Sequence, residues 1–507
     1  MPEHEGSPLL HEWLRETTGR IPAATAIRED GRNTSFGELF RYSAALASTF
    51  IRRGLGKGDR VAIVAPKSTD SITVLFATLM SGGVYVPLQP RWPADRLDRT
   101  LKDCSPRFVY RETACGPQLT DTNDGASIPW GEALAGSISA AGLPDVSPGD
   151  PAFILFTSGS TGQPKGAVIS HQAVAAFVTW CGEEFGIHER DRIACPSPLG
   201  FDLSTFDVFS MARAGAVCVI VPEQITWMPR FLTRFVAEAA ITAWYSVPTI
   251  LAAMLNEGHL AGSQCPDLRL VLFAGEALSS RNVGRLLSAV PQAACYNMYG
   301  PTETNVVTYY RVPEGFDPSH AVPIGVPCPY AELAFDPAGI EEAAGVRTGE
   351  LLVGGNALMT GYWNRLQETE RAFTNLLPGG PRFYRTGDRV WVDECGCYTF
   401  VGRLDRQVKR RGHRIELGEV EAALSRHPGV LEAAAIAFPD DQRGTVITAF
   451  IRATPGAVLS DVQIRKHCAA VLPAYMMPDR IVSIDVMPKG GRGKVDYLVL
   501  ENLYVRT

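Results

Sequence analysis

Apolar residues along the chain form short runs that alternate with longer segments of helical periodicity. The short runs, which have the length of buried strands, are residues 61–65, 153–156, 217–221, 244–247 and 269–273. The segments with helical spacing include residues 71–80, 173–185 and 230–240. Short buried strands that alternate with helices predict parallel β-sheets covered by helices, an α/β fold.

The pattern changes after about residue 350. Residues 350–353 and 398–401 have the composition of strands in a β-rich subdomain, and residues 402–412 are polar and highly charged. Residues 416–426 then show helical spacing, and Gly429 follows as a stop signal. We therefore predict a large N-terminal domain over residues 1–404 and a small α+β domain over residues 405–507.

Composition and charge narrow the class of protein. The 507 residues are 46% hydrophobic and 20% charged, which excludes disordered, collagen-like and coiled-coil chains. The net charge of −6 provides no basic surface for nucleic acid or anionic lipid. The first residues lack a signal peptide, and the apolar runs are shorter than the ~20 residues of a membrane span. We expect a cytoplasmic protein without a nucleic-acid or membrane partner.

The cysteines do not suggest a disulfide framework or a metal site. Eleven cysteines are scattered without paired spacing, as is typical of reduced thiols in a cytoplasmic enzyme. Cys395 and Cys397 form one close pair in a predicted hairpin, but no second pair with ligand spacing accompanies them. The sequence therefore predicts no structural metal.

The strongest chemical signal is F-T-S-G-S-T-G-Q-P-K-G at residues 156–166, directly after a predicted strand. Small hydroxyl and glycine residues allow backbone N–H groups to face an anion, and Lys165 adds a positive charge. The segment lacks the GxxxxGK[ST] pattern of P-loop NTPases. A flexible surface loop is the alternative, but the closing Pro-Lys-Gly favours a phosphate-binding loop.

This loop resembles the phosphate-loop signature of the adenylate-forming enzymes, which include nonribosomal-peptide adenylation domains, acyl-CoA ligases and luciferases. Further motifs match in the order found in that family and extend over nearly the whole chain. They are N-M-Y-G-P-T-E (297–303), G-E-L (349–351) with G-Y-W-N (361–364), Y-R-T-G-D (384–388), G-R-L-D-R-Q-V-K (402–409) and G-K-V-D (493–496). The sequence is identified as a member of this superfamily.

The resemblance implies ATP and Mg²⁺ as the ligands of the large domain. Tyr299 would stack on adenine, Thr302 would contact the α-phosphate, Glu303 would bind Mg²⁺ and Asp388 would bind the ribose hydroxyls. The full set of implied ATP contacts is Thr157, Ser158, Gly159, Ser160, Thr161, Gly162, Gly275, Glu276, Ala277, Asn297, Tyr299, Gly300, Asp388 and Arg403.

Lys494 matches the lysine that assists adenylation in the family, and Lys165, Thr302 and Glu303 complete the implied catalytic set. The usual Asn-Gly-Lys is Arg-Gly-Lys here, which preserves the lysine. The resemblance also implies that the small domain is mobile and rotates about Asp405, between an adenylating and a thioester-forming arrangement. A charged surface linker is compatible with the same residues.

The segment F-D-L-S-T-F-D (201–207) resembles the pocket motif of the members that activate amino acids. Its Asp202 would pair with the substrate's α-ammonium, whereas a fatty or aryl acid would leave this carboxylate unpaired at a cost of ~3–5 kcal/mol. The implied pocket residues are Asp202, Leu203, Phe206, Tyr245, Leu272, Ala274, Met298, Val306 and Val307, with Lys494 as the second charged anchor.

The rest of the pocket lining carries no charge, which excludes acidic and basic amino acids. Three bulky side chains reduce the volume, so a small apolar amino acid such as Pro, Ala or Val fits. The set is similar to that of free-standing proline-activating enzymes of pyrrole-forming pathways, and we favour L-proline.

The expected function is formation of prolyl-AMP, followed by transfer of proline to the phosphopantetheine thiol of a carrier protein. Because the chain ends 13 residues after Lys494 (507 − 494), we expect the carrier to be a separate protein. The alternatives are another small amino acid (Ala, Val or D-Ala), an acyl- or aryl-CoA ligase, and a catalytically silent scaffold that binds nucleotide or carrier.

Overall fold

A computed structural model describes residues 8–136, 144–159, 164–343, 346–440, 444–457, 459–489 and 495–505. The chain divides into two compact units. The first comprises residues 1–90, 101–156 and 166–402, and the second comprises residues 91–100, 157–165 and 403–507. The C-terminal part of the second unit thus begins at Arg403, two residues before the predicted domain boundary.

Helices and strands alternate through much of the chain. The helices are α1 (Leu10–Arg20), α2 (Phe36–Arg52), α3 (Thr69–Met80), α4 (Ala94–Cys104), α5 (Trp130–Ala133), α6 (His171–Glu184), α7 (Leu203–Ala214), α8 (Pro229–Glu238), α9 (Pro248–Asn256), α10 (Ser280–Ala289), α11 (Leu366–Ala372), α12 (Leu417–Ser425), α13 (Asp461–Val471) and α14 (Tyr497–Val505).

The first sixteen strands in chain order are β1 (Thr25–Glu29), β2 (Arg32–Ser35), β3 (Arg60–Val64), β4 (Val84–Leu88), β5 (Phe108–Thr113), β6 (Gly116–Asp121), β7 (Ser127–Pro129), β8 (Pro151–Thr157), β9 (Lys165–Ser170), β10 (Arg192–Cys195), β11 (Val217–Ile220), β12 (Ala243–Ser246), β13 (Leu270–Ala274), β14 (Ala294–Tyr299), β15 (Thr308–Arg311) and β16 (Val326–Pro327). The later strands are β17 (Ala331–Phe335), β18 (Glu341–Ala343), β19 (Val346–Gly355), β20 (Gly361–Tyr362), β21 (Phe373–Asn375), β22 (Arg382–Val392), β23 (Tyr398–Arg403), β24 (Gln407–Arg410), β25 (His413–Glu416), β26 (Val430–Asp440), β27 (Gly444–Ala453) and β28 (Arg480–Ser483).

The first unit contains two large sheets. One has nine strands in the order β16-β15-β14-β13-β12-β10-β11-β1-β2, and the other has eight in the order β20-β9-β8-β4-β3-β5-β6-β7. The strands from β1 to β14 in the nine-stranded sheet pair in parallel, apart from the edge strand β2. The predicted α/β fold is confirmed, and β3, β8, β11, β12 and β13 coincide with the predicted strands to within two residues.

Two helices of this unit are buried on all sides. Residues 71–80 of α3 and residues 203–212 of α7 are all buried. A helix that is covered all round lies in the interior of a protein, packed against other elements on every face. Helix α7 is important for the site because it begins directly after Asp202.

The β-rich subdomain is the six-stranded sheet around β17, β19, β22 and β21, with β18 and β23 at its sides. Its core contains Phe335, Leu351, Val353, Val390 and Tyr398. The prediction of a β-rich section after residue 350 is therefore confirmed, although the sheet begins earlier, at Ala331.

The second unit is a small α+β module. It contains the hairpin β24-β25 and the sheet β26-β27-β28, with α12 and α13 packed on a core that includes Ile415, Val420 and Ile464. The predicted helix over residues 416–426 is α12. Arg411 (φ 53°) and Gly412 (φ 78°) form the hairpin turn, where left-handed backbone matches the twist of the strands.

Candidate active site

Most of the predicted site residues of the first unit lie at one edge of the nine-stranded sheet. Asp202 follows β10, Gly275 and Glu276 follow β13, and Gly300 to Glu303 follow β14. Because these strands are parallel, their carboxyl ends meet at the same edge, which is where open α/β sheets bind ligands.

The wall of the predicted amino-acid pocket is formed by one face of β12, β13 and β14. Tyr245 is in register with Leu272, and Ala274 is in register with Met298. Leu272 and Ala274 are two residues apart, so they project from the same face of the sheet. All four side chains are at most 5% exposed. Register and alternation together therefore bring four predicted pocket residues to one surface.

Helix α7 closes this surface from the side. The ring of Phe206 meets the ring of Tyr245 edge to face, with 5.6 Å between the ring centroids. Burial raises the pKa of Tyr245, and the negative charge of Asp202 raises it further, so the phenol stays neutral. Asp202 therefore lies near enough to Tyr245 for its charge to act on the phenol.

Asp202 is half-buried at the start of α7. Its side chain makes no capping hydrogen bond to the helix, and its carbonyl oxygen instead accepts from the Thr205 backbone at 3.0 Å. The geometry therefore does not support a helix-capping role for this aspartate, which is the main structural alternative to ligand binding.

Val306 and Val307 lie in the tight segment after β14. The Val307 N–H donates to the Tyr299 carbonyl at 2.7 Å, and the Tyr330 hydroxyl donates to the Val306 carbonyl at 2.7 Å. A Cβ on Gly300 would lie 1.6 Å from the Asn305 carbonyl oxygen, so this position requires glycine. The close backbone approach explains the glycine of the N-M-Y-G-P-T-E motif.

Tyr299 follows Met298 on β14 and therefore projects from the opposite face of the strand. Its hydroxyl donates to the Asp388 carboxylate at 2.5 Å, and Asp388 is 1% exposed. Strand β14 thus separates two regions, the apolar pocket on the side of Met298 and the Tyr299–Asp388 pair on the other.

A β-bulge presents Asp388. The pairing of β19 with β22 shifts between Glu350 and Leu352, and Gly387 adopts a left-handed φ of 68°. Glu350 accepts from the Gly387 N–H at 3.1 Å and from the Arg385 guanidinium at 2.9 Å. The G-E-L and Y-R-T-G-D motifs are therefore one structural unit, in which Glu350 holds the backbone that carries Asp388.

Glu303, the predicted magnesium ligand, is 1% exposed. The Tyr362 hydroxyl donates to its carboxylate at 2.7 Å, and its carbonyl oxygen accepts from the Met359 N–H at 2.7 Å. Thr302 precedes it and is partly exposed at the same edge. A carboxylate oriented by a neutral donor provides the hard oxygen ligand that Mg²⁺ prefers.

Two other predicted residues of this edge, Glu276 and Asn297, also have structural partners. Glu276 accepts a hydrogen bond from the Thr249 hydroxyl, and the Asn297 side chain donates to the Pro323 carbonyl at 2.7 Å. Gly275 has a left-handed φ of 95°, and Ala277 is exposed.

Of the described part of the phosphate loop, residues 157–159, 164 and 165 belong to the second unit, whereas Phe156 and Gly166 belong to the first. The Ser158 hydroxyl donates to the Arg414 carbonyl at 2.5 Å, and the Thr157 hydroxyl donates to the Lys165 carbonyl at 3.4 Å. Gly159 is buried. The predicted contacts Ser160, Thr161, Gly162 and Lys494 lie outside the described residues.

Arg403 and the predicted hinge residue Asp405 also belong to the second unit. The Arg403 guanidinium donates to both carboxylate oxygens of Asp405 at 2.9 and 2.6 Å, and to the Gln407 side chain at 2.7 Å. Burial raises the pKa of Asp405, but the hydrogen bond and charge of Arg403 outweigh it, and the net effect is a lowered pKa.

No group of three or more potential metal-ligating side chains occurs within the described residues. Cys395 is exposed, and Cys397 is partly buried in the turn between β22 and β23. None of the helices that the structure describes combines the length and apolarity needed to cross a bilayer.

Comparison with known proteins shows the family. The model of the AMP-binding enzymes matches residues 14–363, and the model of their C-terminal domain matches residues 419–494. The chain belongs to the AMP-binding enzyme family.

Similar full-length proteins support this assignment. The chain is 35% identical over 505 residues to the L-proline--[L-prolyl-carrier protein] ligase of Pseudomonas fluorescens, covering 97% of this chain and 98% of that protein. It is 36% identical over 511 residues to the ligase of the same name from Streptomyces coelicolor, covering 94% and 95%. The crystal structure of IdnL1 has 29% identity and a TM-score of 0.80, covering 96% and 99%.

Three residues of this AMP-binding enzyme were not predicted as site residues, although they support the site. Tyr362 holds Glu303, Tyr330 holds Val306, and Lys67 donates from a buried position to the Pro196 carbonyl at 2.8 Å, at the start of the loop that leads to Asp202. Tyr362 lies in the G-Y-W-N motif, which signalled its position. The other two carry no local signal.

Proposed function

We propose that the protein activates L-proline as prolyl-AMP and then transfers the prolyl group to the phosphopantetheine thiol of a separate carrier protein. The observation that carries this proposal is the pocket wall at the carboxyl edge of β12–β14. The wall is buried and mainly apolar, and the negative charge of Asp202 acts on Tyr245 within it. The names of the two similar ligases support proline as the amino acid and a carrier protein as the acceptor.

The pocket accounts for the substrate class. A carboxylate beside an apolar wall pairs with the α-ammonium of an amino acid and leaves an uncharged side chain to contact the wall. The edge-to-face rings of Phe206 and Tyr245 reduce the available space, which favours a compact side chain such as the proline ring. A charged side chain would be desolvated without a partner.

ATP would bind on the other side of β14. The ring of Tyr299 would stack on adenine, and Asp388 would accept hydrogen bonds from the ribose hydroxyls, in a position fixed by the Tyr299 hydroxyl. Glu303 would hold Mg²⁺, which supplies charge neutralisation for the phosphates. Lys165 and Lys494, assigned by their match to the family, would neutralise the remaining negative charge.

The reaction has two steps. In the first, a carboxylate oxygen of proline attacks the α-phosphorus of ATP, and the bond from the α-phosphorus to the bridging oxygen breaks to release pyrophosphate. In the second, the carrier thiol loses its proton, its sulfur attacks the prolyl carbonyl carbon, and AMP leaves. Asp405 would be the hinge for rotation of the C-terminal domain between these steps.

Exchange of labelled pyrophosphate into ATP, measured with each of the twenty amino acids and D-alanine, tests the first step. We expect the strongest exchange with L-proline. Asp202→Asn should reduce this exchange by about two orders of magnitude or more, because losing one partner of a desolvated charge pair costs ~3–5 kcal/mol. Strong exchange with alanine or valine and none with proline would overturn the substrate assignment.

A second measurement separates the rival functions. A CoA ligase would tolerate Asp202→Ala and form a thioester with free CoA, whereas the proposed enzyme should lose activity and should prefer a holo carrier protein. A scaffold would bind nucleotide without releasing pyrophosphate. The control is Glu342→Gln, a conservative change at an exposed carboxylate outside the candidate site.

A further inference from the structure

An exposed aromatic patch lies at the start of α8 in the first unit. It consists of Trp227, Met228 and Phe231, whose side chains are 53%, 48% and 59% exposed. We call these three residues the Trp227 patch. The inner face of the same helix is formed by the buried residues Leu232 and Val236, so the helix is already anchored without the patch.

The patch is comparable in area to the largest apolar patch of a typical monomeric protein, which is often functional. Three large side chains, each about half exposed within five residues, present on the order of 300 Å² of apolar surface. Isolated exposed apolar residues are common, whereas three large ones within five residues of the chain are a candidate interaction site. Tryptophan, phenylalanine and methionine are also the apolar types that are enriched in protein interfaces.

The patch lies at the same sheet edge as the candidate active site. Residues 221–228 follow β11, just as Asp202 follows β10 and Gly275 follows β13. Since β11, β10, β12 and β13 are consecutive and parallel, three strand spacings of about 4.8 Å separate β11 from β13. A partner bound at the patch would therefore lie at the edge from which the pocket is reached.

Charged side chains of both signs lie near the patch, and one arginine among them makes no ion pair within the described residues. Arg230 and Arg234 are exposed on α8 beside Phe231. Arg234 pairs with Glu238 at 2.7 Å, whereas Arg230 donates to the Glu257 carbonyl at 3.4 Å and has no carboxylate partner in the part of the chain that the structure describes. An apolar surface with an uncompensated guanidinium at its rim fits a partner whose apolar face is flanked by carboxylates.

We propose that the Trp227 patch docks the carrier protein, through an apolar face of the carrier that is bordered by acidic side chains. This inference rests on the proposed function, in which a separate carrier receives the prolyl group. It requires the patch to act in the second step alone, because proline and ATP bind elsewhere.

The test compares three reactions of the whole enzyme. They are proline-dependent pyrophosphate exchange, transfer to free pantetheine, and transfer to the phosphopantetheinylated carrier protein of the Streptomyces coelicolor ligase. In the double variant Trp227→Ser/Phe231→Ser, we expect the KM for the carrier to rise at least tenfold, with the other two reactions unchanged within twofold. Leu366→Ser, which alters a 73% exposed leucine on α11, is the matched control and should change none of the three.

Charge is tested separately. Arg230→Glu should also raise the KM for the carrier, whereas Arg230→Lys should preserve it, and the difference should shrink at high salt. Each variant's melting temperature is measured, so that loss of folding is not mistaken for loss of docking.

An unchanged KM for the carrier in the double variant would overturn the docking proposal, as would an equal loss of pyrophosphate exchange in a folded protein. A wild-type dimer that the double variant converts to monomers would assign the patch to self-association instead. If the wild-type protein shows no exchange with proline, the proposed function itself fails, and this outcome is distinct from a failure of docking.

Discussion

The variant Tyr299→Phe, which removes only the phenolic oxygen, tests whether β14 separates the ATP site from the amino-acid pocket. In the structure this hydroxyl donates to the Asp388 carboxylate at 2.5 Å, and the two residues are 6% and 1% exposed. A hydrogen bond to a charged group contributes about 1.5–3 kcal/mol. At about 1.4 kcal/mol per factor of ten, the lower value corresponds to about tenfold. We therefore expect Tyr299→Phe to raise the KM for ATP about tenfold or more.

The assay is proline-dependent pyrophosphate exchange with ATP and proline varied in turn. The KM for proline should stay within twofold of wild type, because Met298 and not Tyr299 faces the pocket. Tyr299→Leu should be worse than Tyr299→Phe, since it also removes the ring. Tyr310→Phe, on the adjacent strand and in register with Asn297, is the control. An unchanged KM for ATP in a folded Tyr299→Phe protein, or an equal rise in both KM values, would refute the reasoning.

Three further predictions concern stability and reactivity. Lys67→Met should lower the free energy of unfolding by about 1.5–3 kcal/mol in urea titrations, because it leaves the Pro196 carbonyl without its buried charged donor, and an unchanged midpoint would contradict this. Burial lowers the pKa of His171 to about 3, so as the pH falls the unfolded chain binds a proton at this histidine before the folded protein does. The contribution of neutral His171 to the free energy of unfolding should therefore be complete above pH 6.5 and should fall by up to about 1.4 kcal/mol per pH unit below it. Thermal melts of His171→Gln should show a shallower acid slope. Cys115 and Cys395 are the exposed thiols, so a maleimide should modify them first, and rapid labelling of several buried thiols would contradict the structure.

The positions of the strands could be predicted from short-range pattern. The apolar runs at 61–65 and 269–273 are β3 and β13, shifted by at most one residue, because a buried parallel strand requires a continuous apolar run. The motifs also indicated which loops carry chemistry. The start of the β-rich sheet at Ala331 was missed, because β17 is only partly buried and lacks such a run.

The roles of individual site residues depended on contacts between distant parts of the chain. Glu350 is a motif residue without an evident role until the structure shows it holding the Gly387 N–H, 37 residues away along the chain. Tyr362 and Glu303 are 59 residues apart. No periodicity within either segment encodes such a pairing, because it is set by how β19, β22 and the loop after β14 assemble.

The sequence by itself determined the family, the α/β architecture and the residue types available for an adenylation site, because these follow from local pattern and from motifs in order. Only the tertiary structure decided how the site is divided. Parallel register brought Tyr245, Leu272, Ala274 and Met298 to one face, and the alternation of β14 directed Tyr299 to the other, toward Asp388. It also showed aromatic surface at Trp227 and Phe231, because exposure is a property of the assembled fold and not of the residue type.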